Sequence, residues 1–342
     1  MTSPLRRRRW LPWLTWLAAG VLLATLALRL PRAQLLHALA TGPAWSVGLC
    51  SAAVVVSVLL ADAAATVTAF AATGLRCRWT AVLLARGATY LLGLLNFAVG
   101  QGGLGVFLHR AGVPPRRALG MLLFLMGTQL AALAAVAGAG LAAEVLVDAH
   151  AGAAGATSAT GTIGATGAMS AMGVAARPAL LVLGALGAAF AAGLAVLAWK
   201  PAWLTRHEIL APIFAAGVKG MLRAVAARLP HVLLMNGGLW LALRLWGVAL
   251  PLARGMVLLS VVVLITVVPI APSAIGTFEV GVVDMVAPYA AAGPVGLAGA
   301  VAAQRAGLFA FTLVYHAFSI ATQALVGLAC LAILTRRKPA LG

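Results

Sequence analysis

Residues 44–71 read AWSVGLCSAAVVVSVLLADAAATVTAFA, an apolar run with one charged side chain, Asp62, set in its interior. An α-helix rises 1.5 Å per residue, so about 20 apolar residues cross the roughly 30 Å hydrocarbon core of a bilayer. This stretch is long enough to do so. Comparable runs recur along the 342 residues, separated by short segments that carry Arg or Pro and Gly. Hydrophobic residues make up 63% of the chain, charged ones 9%, and the mean hydropathy is +1.06. Soluble domains are about half apolar and about a quarter charged, so both figures point to the membrane class. Inside lipid every backbone N–H and C=O must be paired, which a helix does within its own segment. The fold expected is an all-α polytopic membrane protein of about six to eight transmembrane helices. The period-two alternation of an outer-membrane barrel is not visible in the sequence.

The net charge of +18 sits mostly in short runs beside the apolar segments: Arg6 to Arg9, Arg76 and Arg78, Arg116 and Arg117, and Arg336 to Lys338. Basic residues at span edges mark the cytoplasmic side and attract anionic lipid headgroups. No basic domain interleaved with aromatics is present, so nucleic acid is not an expected partner. Cys50, Cys77 and Cys330 are odd in number and widely separated, which fits neither a disulfide framework nor a zinc site. The basic N-terminal flank precedes an apolar run without a convincing cleavage site, so that run reads as a retained first helix. No Ser/His/Asp order, HExxH motif, P-loop or nucleotide fingerprint occurs, and no cofactor, metal or enzymatic activity is expected.

The chain reads as a single membrane domain, 1–342, with halves at 1–142 and 178–335 joined by a low-complexity loop at 143–177 rich in Ala, Gly, Thr and Ser. In the first half, spans are expected at about 10–30, 44–71 and 119–142. A segment from Thr80 to Asn96 breaks at Gly100-Gln101-Gly102-Gly103-Leu104-Gly105. In the second half, spans are expected at about 178–199, 232–250 and 302–334. There the run from Gly255 breaks at Pro269-Ile270-Ala271-Pro272-Ser273-Ala274-Ile275-Gly276 before resuming to Tyr289. Between the spans, Pro201 to Pro230 interleaves Lys219, Arg223 and Arg228 with apolar residues, as in a basic amphipathic helix lying in the interface; a solvated connector has the same composition.

The two breaks resemble each other. Aligning Gly102 to Phe107 with Ser273 to Phe278 pairs Gly105 with Gly276 and Phe107 with Phe278, at an offset of about half the chain. An ancestral duplication leaves such a trace, and so does chance in so apolar a sequence. Charge adds a separate constraint. If Thr80 to Arg110 dips in and returns as a hairpin, Arg76/Arg78 and Arg116/Arg117 share the cytoplasmic side. Two broken or re-entrant hairpins, both termini cytoplasmic and an inverted repeat follow, the design in which transporters place a site near the midplane. Plain crossings throughout also put both ends inside.

The stretch from Val268 to Glu279, VPIAPSAIGTFE, resembles the signature of the membrane region of bacterial lysylphosphatidylglycerol synthases and their stand-alone flippase-like relatives. Asn96 followed by a Gly-rich break, a basic turn and another span is similar to that family's first half, and Arg305 fits its last helix. The likeness covers most of the chain in span order and about 25 residues in motif. The sequence departs from it after Asn96, where the family carries a Pro and a Gly-Glu pair. The chain ends at Gly342 with no aminoacyl-transferase domain, so lysyl transfer is not expected. The resemblance implies a lipid translocase of the bacterial inner membrane, moving an anionic phospholipid or a polyprenyl-linked lipid. The alternative is a scaffold or accessory subunit for a separate lipid glycosyl- or aminoacyl-transferase.

Ionisable groups inside spans are costly and by default mark a pathway or a pair. Glu279 follows the second break, where it either meets a cationic headgroup or Arg305, or satisfies free N–H groups at a helix start. Arg305 either holds a lipid phosphate or pairs with Glu279. Asp62 needs a partner, expected to be Arg86 or Arg305, and Arg86 alternatively snorkels to the headgroups. Asn96, Gln101 and Ser273 offer hydrogen bonds at the breaks formed by Gly102, Gly103, Gly105, Pro269, Pro272 and Gly276, whose free N–H groups suit phosphate. His316 and Gln323 share one face of the last helix and suit interhelical hydrogen bonding.

Overall fold

A computed structural model describes residues 24–25, 28, 30–95, 97–155, 184–267, 274–290 and 297–336. Most of the expected first helix, and Asn96, Pro269, Pro272, Ser273, Arg337 and Lys338, lie outside the described residues, as does 156–177 of the expected loop. The described residues form helices and no strand; Val248 and Ala290 make one isolated bridge. In chain order the described helices of ten residues or more are α1 (Arg32–Thr41), α2 (Ala44–Ala72), α3 (Trp79–Leu95), α4 (Phe97–Arg110), α5 (Pro115–Gly155), α6 (Gly184–Trp199), α7 (Ala211–Leu245), α8 (Leu252–Val267), α9 (Thr277–Val286) and α10 (Leu297–Arg336). Among the described residues, three segments are long and apolar enough to cross a bilayer: Ala44–Ala72, Pro115–Glu144 and Val301–Arg336. Large apolar side chains such as Leu49, Leu60, Leu325 and Leu328 stand exposed on their outer faces, where water would be a poor solvent and lipid a good one. The chain is a membrane-embedded helical protein.

Local sequence explains most boundaries. Pro43 precedes α2, and Gly74, at φ 84°, follows it. Pro115 opens α5, where its missing N–H costs nothing. Gly276 caps α9 at φ 88°, a conformation open to glycine, and its N–H donates to Glu279 Oε2 at 2.6 Å.

Three expectations are corrected. Helix α4 runs unbroken through Gly100, Gly102, Gly103 and Gly105, so the expected break does not lie in the glycine run. Gly100 and Gly103 serve close approach instead: a Cβ on Gly103 would lie 2.5 Å from Leu92 Cδ1, and one on Gly100 3.0 Å from Gly93 Cα. Gly105 is therefore mid-helix while Gly276 is a cap, and the residue-by-residue pairing of the two fails. Helix α5 continues to Gly155, so 143–155 is helix and not loop; its Ala-rich composition carries a high helix propensity. Finally, 211–245 is one long element with a non-helical residue at Gly217 and Pro230 inside, not an interfacial helix followed by a span. Lys219 and Arg223 are exposed, whereas Arg228 is buried.

The packing follows a paired plan. Helices α2 and α7 cross antiparallel through the centre, with Gly220 beside Ala72 and Gly238 against Val54. A Cβ on Gly238 would sit 2.2 Å from Val54 Cγ2, so only glycine lets the backbones come this close. Helices α3 and α4 fold back on each other, as do α8 and α9, where Gly281 meets Val262. Helix α3 packs on α10, with Gly87 against Cys330 and Gly327 against Leu91; α8 packs on α5, with Gly140 against Ala253 and Met256. Helix α2 also touches α10, and α7 touches α5. The contacts α2–α3, α3–α4, α4–α5, α3–α10 and α2–α10 thus have counterparts in α7–α8, α8–α9, α9–α10, α8–α5 and α7–α5; the slight contact of α2 with α5 has no equal in the second set.

A polar bond repeats the plan. Asp62 in α2 bonds Arg86 in α3, and Asn236 in α7 bonds Ser260 in α8, each pair 24 residues apart. The return of α4 along α3 also brings the basic turns together, since a Cβ on Gly74 would lie 4.0 Å from Arg117 Nη2. Arg116 in turn reaches Glu208 at 3.4 Å. Arg76, Arg78, Arg116 and Arg117 therefore occupy one end of the bundle, all exposed.

Candidate functional site

The site grows from α2. Asp62 is 2% exposed, and an ionised carboxylate in so apolar a helix demands partners on every side. Two supply them. Arg86 of α3 donates through Nε to Oδ2, and Arg228 of α7 donates through Nη1 to Oδ1. Both arginines are largely buried, so neither snorkels to the surface. Arg86 Nη1 also reaches Gln101 Oε1 of α4 at 3.4 Å. One turn beyond Arg228, His231 Nδ1 lies 3.3 Å from the Val58 carbonyl, closing the α2–α7 crossing. Arg228 Nε, by contrast, is a buried donor with no hydrogen-bond partner.

These groups line a cavity of 340 Å³. It lies where the ends of the two folded-back helix pairs converge: Gly93, Gly100 and Gln101 come from α3 and α4, Thr266 from the end of α8, and Ala274 from just before α9. Helix α5 adds Gln129 and α10 adds Gln323. The wall is thus amide, hydroxyl and guanidinium set into an apolar frame. A second cavity of 410 Å³, almost wholly apolar, opens between α5, α6 and α7 and shares Leu130 with the first.

Of the residues singled out from sequence, Arg86 and Gln101 stand at this cavity, and Asn96 and Ser273 lie outside the described residues with Pro269 and Pro272. Gly102, Gly103 and Gly105 are inside α4, and Gly276 caps α9. The expected Glu279–Arg305 pair does not form. Glu279 is 1% exposed, with one carboxylate oxygen on the Gly276 N–H and the other 2.7 Å from His316 Nδ1 of α10. Arg305 instead pairs with Asp284 at a half-exposed position. Five residues separate Glu279 from Asp284, so the two carboxylates occupy different turns of α9, and the arginine takes the one nearer solvent. Asp62 likewise takes Arg86 and Arg228, not Arg305.

Sequence reasoning missed Arg228, His231, Gln129 and the Asn236–Ser260 bond. Arg228 was grouped with Lys219 and Arg223 as one basic face, yet a signal was present. The nearest charged neighbours of Arg228 are Arg223 and Arg244, and the residues between are apolar apart from Pro230, His231 and Asn236. An arginine so isolated cannot reach an interface and must find a buried anion.

Elsewhere, Arg254 of α8 donates to Glu144 of α5 at 2.6 Å and to the Tyr289 hydroxyl at 3.2 Å, tying α5, α8 and the turn after α9 together. Among the described residues no cluster of His, Cys, Asp and Glu has the makings of a metal site.

The two ion pairs differ in what they contribute. Removing Arg228 leaves the inner oxygen of Asp62 without its donor, a loss of about 3–5 kcal/mol for a buried pair. Arg305→Ala removes a half-exposed pair worth about 0–1 kcal/mol. Thermal unfolding of the purified protein in detergent should therefore show a large drop for Arg228→Ala and almost none for Arg305→Ala; equal drops would contradict this ranking.

Compared with protein-family models, curated proteins and solved structures, the chain matches none of them.

Proposed function

We propose that this protein is a lipid translocase that carries a polar headgroup through the bilayer while the acyl tails stay in lipid. The observation that carries the reading is the polar cavity at the convergence of the two helix pairs, with a charged cluster at its base. A cavity of this polarity inside an apolar bundle has a use only if something polar passes or lodges there. Its apolar neighbour, sharing Leu130, offers the tail of an amphiphile a continuous apolar wall. The resemblance of Val268 to Glu279 to the flippase-like membrane regions points the same way.

The topology that goes with this reading is a multi-pass protein of a bacterial inner membrane with its basic end in the cytoplasm. The pairs α3/α4 and α8/α9 enter from opposite faces and meet near the midplane, as in transporters built from inverted repeats. The matching contacts of the two helix sets, and the Asp62–Arg86 and Asn236–Ser260 bonds, support a duplicated origin at an offset of 174 positions.

Reconstituted into vesicles, the protein should speed the exchange of fluorescent phospholipid between leaflets, and Arg86→Ala or Arg228→Ala should abolish the effect while Arg305→Ala retains it. Exchange no faster than in protein-free vesicles, across several headgroups, would refute the reading. Topology has its own check. Single cysteines replacing Arg78 and Arg117 should both resist an impermeant thiol reagent on intact cells, and one replacing Gly155 should react. Labelling of Arg78→Cys and Arg117→Cys from opposite sides would rule out the folded-back pair.

A further inference from the structure

Resting on that reading, we infer that the cavity is matched to a lipid carrying one phosphodiester charge with an otherwise uncharged headgroup. The argument begins with a charge count. Arg86 and Arg228 bring two positive charges and Asp62 one negative, and the remaining polar groups at the wall are amides, hydroxyls and the His231 imidazole. The cluster is therefore one positive charge in excess, in surroundings that solvate charge poorly. An excess charge held away from water favours a partner of opposite sign and equal size.

Hydrogen bonding points to the same ligand. Arg228 spends Nη1 on Asp62 and keeps Nε buried without an acceptor. Arg86 spends Nε on Asp62, and its Nη1 has only the long contact to Gln101. A guanidinium carries five N–H donors in a planar fork, so both arginines have donors to spare and no second carboxylate to give them to. Phosphate oxygens fit such a fork in pairs. Asp62 then acts as a spacer: it neutralises one guanidinium equivalent and holds both side chains, leaving the pair to offer a single net charge.

The cavity's size and lining set the rest. A volume of 340 Å³ is at the small end of ligand sites, room for a headgroup and not for two acyl chains. Gln101, Gln129 and Gln323 are neutral partners suited to hydroxyl groups beyond the phosphate, and among the described residues no carboxylate other than Asp62 is at the wall to receive an ammonium group. The count also separates lipid classes: a diphosphate-linked lipid brings one negative charge too many, and a zwitterionic lipid brings an ammonium that meets the excess positive charge.

The test is calorimetric titration of the purified full chain in detergent with four probes. These are short-chain phosphatidylglycerol, phosphatidylcholine and phosphatidic acid, and inorganic phosphate. The wild-type protein should bind phosphatidylglycerol about tenfold or more tighter than phosphatidylcholine, the scale of one charge-assisted hydrogen bond. Asp62→Asn leaves two uncompensated guanidiniums, and the preference should shift to phosphatidic acid, whose phosphomonoester has a second ionisable oxygen and carries more than one charge at neutral pH. Equal binding of phosphatidylglycerol and phosphatidylcholine by the wild type overturns the inference without recourse to any variant. Inorganic phosphate binding as tightly as the lipid overturns the assignment to a lipid. Headgroup-selective binding without leaflet exchange would defeat translocation and leave this inference standing; exchange indifferent to headgroup would do the reverse.

Discussion

Asp62 lies within an apolar helix, buried to 2% exposure, and the bundle is arranged around satisfying it. One oxygen goes to Arg86 and the other to Arg228, so a single carboxylate links α2 to α3 on one side and to α7 on the other. Neither arginine has another route to neutrality at that depth. Losing the carboxylate would leave two buried cations facing each other, a cost that apolar packing alone would not offset. The crossing of α2 and α7 is consequently fixed in register as well as in angle, with His231 on the Val58 carbonyl and Gly238 against Val54 marking the next turns.

From that crossing the rest of the architecture follows in pairs. Helix α3 must come close enough for Arg86 to reach α2, and its folded-back partner α4 brings Gln101 to the same place. On the other side α8 is held to α7 by Asn236 and Ser260, an uncharged version of the Asp62–Arg86 bond at the same 24-residue spacing. The frame repeats while the bond within it changes from charged to uncharged. The cavity takes its guanidiniums from both sets, Arg86 from α3 and Arg228 from α7, and its carboxylate from α2. Asn236 Oδ1 is a buried acceptor with no hydrogen-bond partner.

Much of this was legible in the sequence. The membrane class followed from composition, and a shared end for Arg76/Arg78 and Arg116/Arg117 was one of the two arrangements that charge placement left open. The need of Asp62 for a buried partner followed from the cost of a charge in an apolar helix, with Arg86 and Arg305 as the candidates; the structure gives it Arg86 and Arg228. The misreadings have physical causes. A glycine run looks like a break, but Gly100 and Gly103 sit inside a helix, where a Cβ would crowd Gly93 Cα of α3 at 3.0 Å and Leu92 Cδ1 at 2.5 Å. Arg228 was read with Lys219 and Arg223 because linear spacing cannot tell a face that meets lipid headgroups from one that meets Asp62. For Glu279 the sequence leaves two readings, a pair with Arg305 and a carboxylate on the free N–H groups of a helix start. The structure separates them, giving Glu279 to the cap of α9 and to His316, and Arg305 to Asp284.

The central claim is that Asp62 and Arg228 act as one unit between the two helix sets. A double-mutant cycle measures this directly, using Asp62→Asn, Arg228→Gln and the two combined, with unfolding followed in detergent. The account predicts that the double variant is more stable than the sum of the single losses implies, by about 1–3 kcal/mol, because either substitution alone leaves the other group buried and unpaired. Additive losses, with no coupling between the two positions, would contradict it.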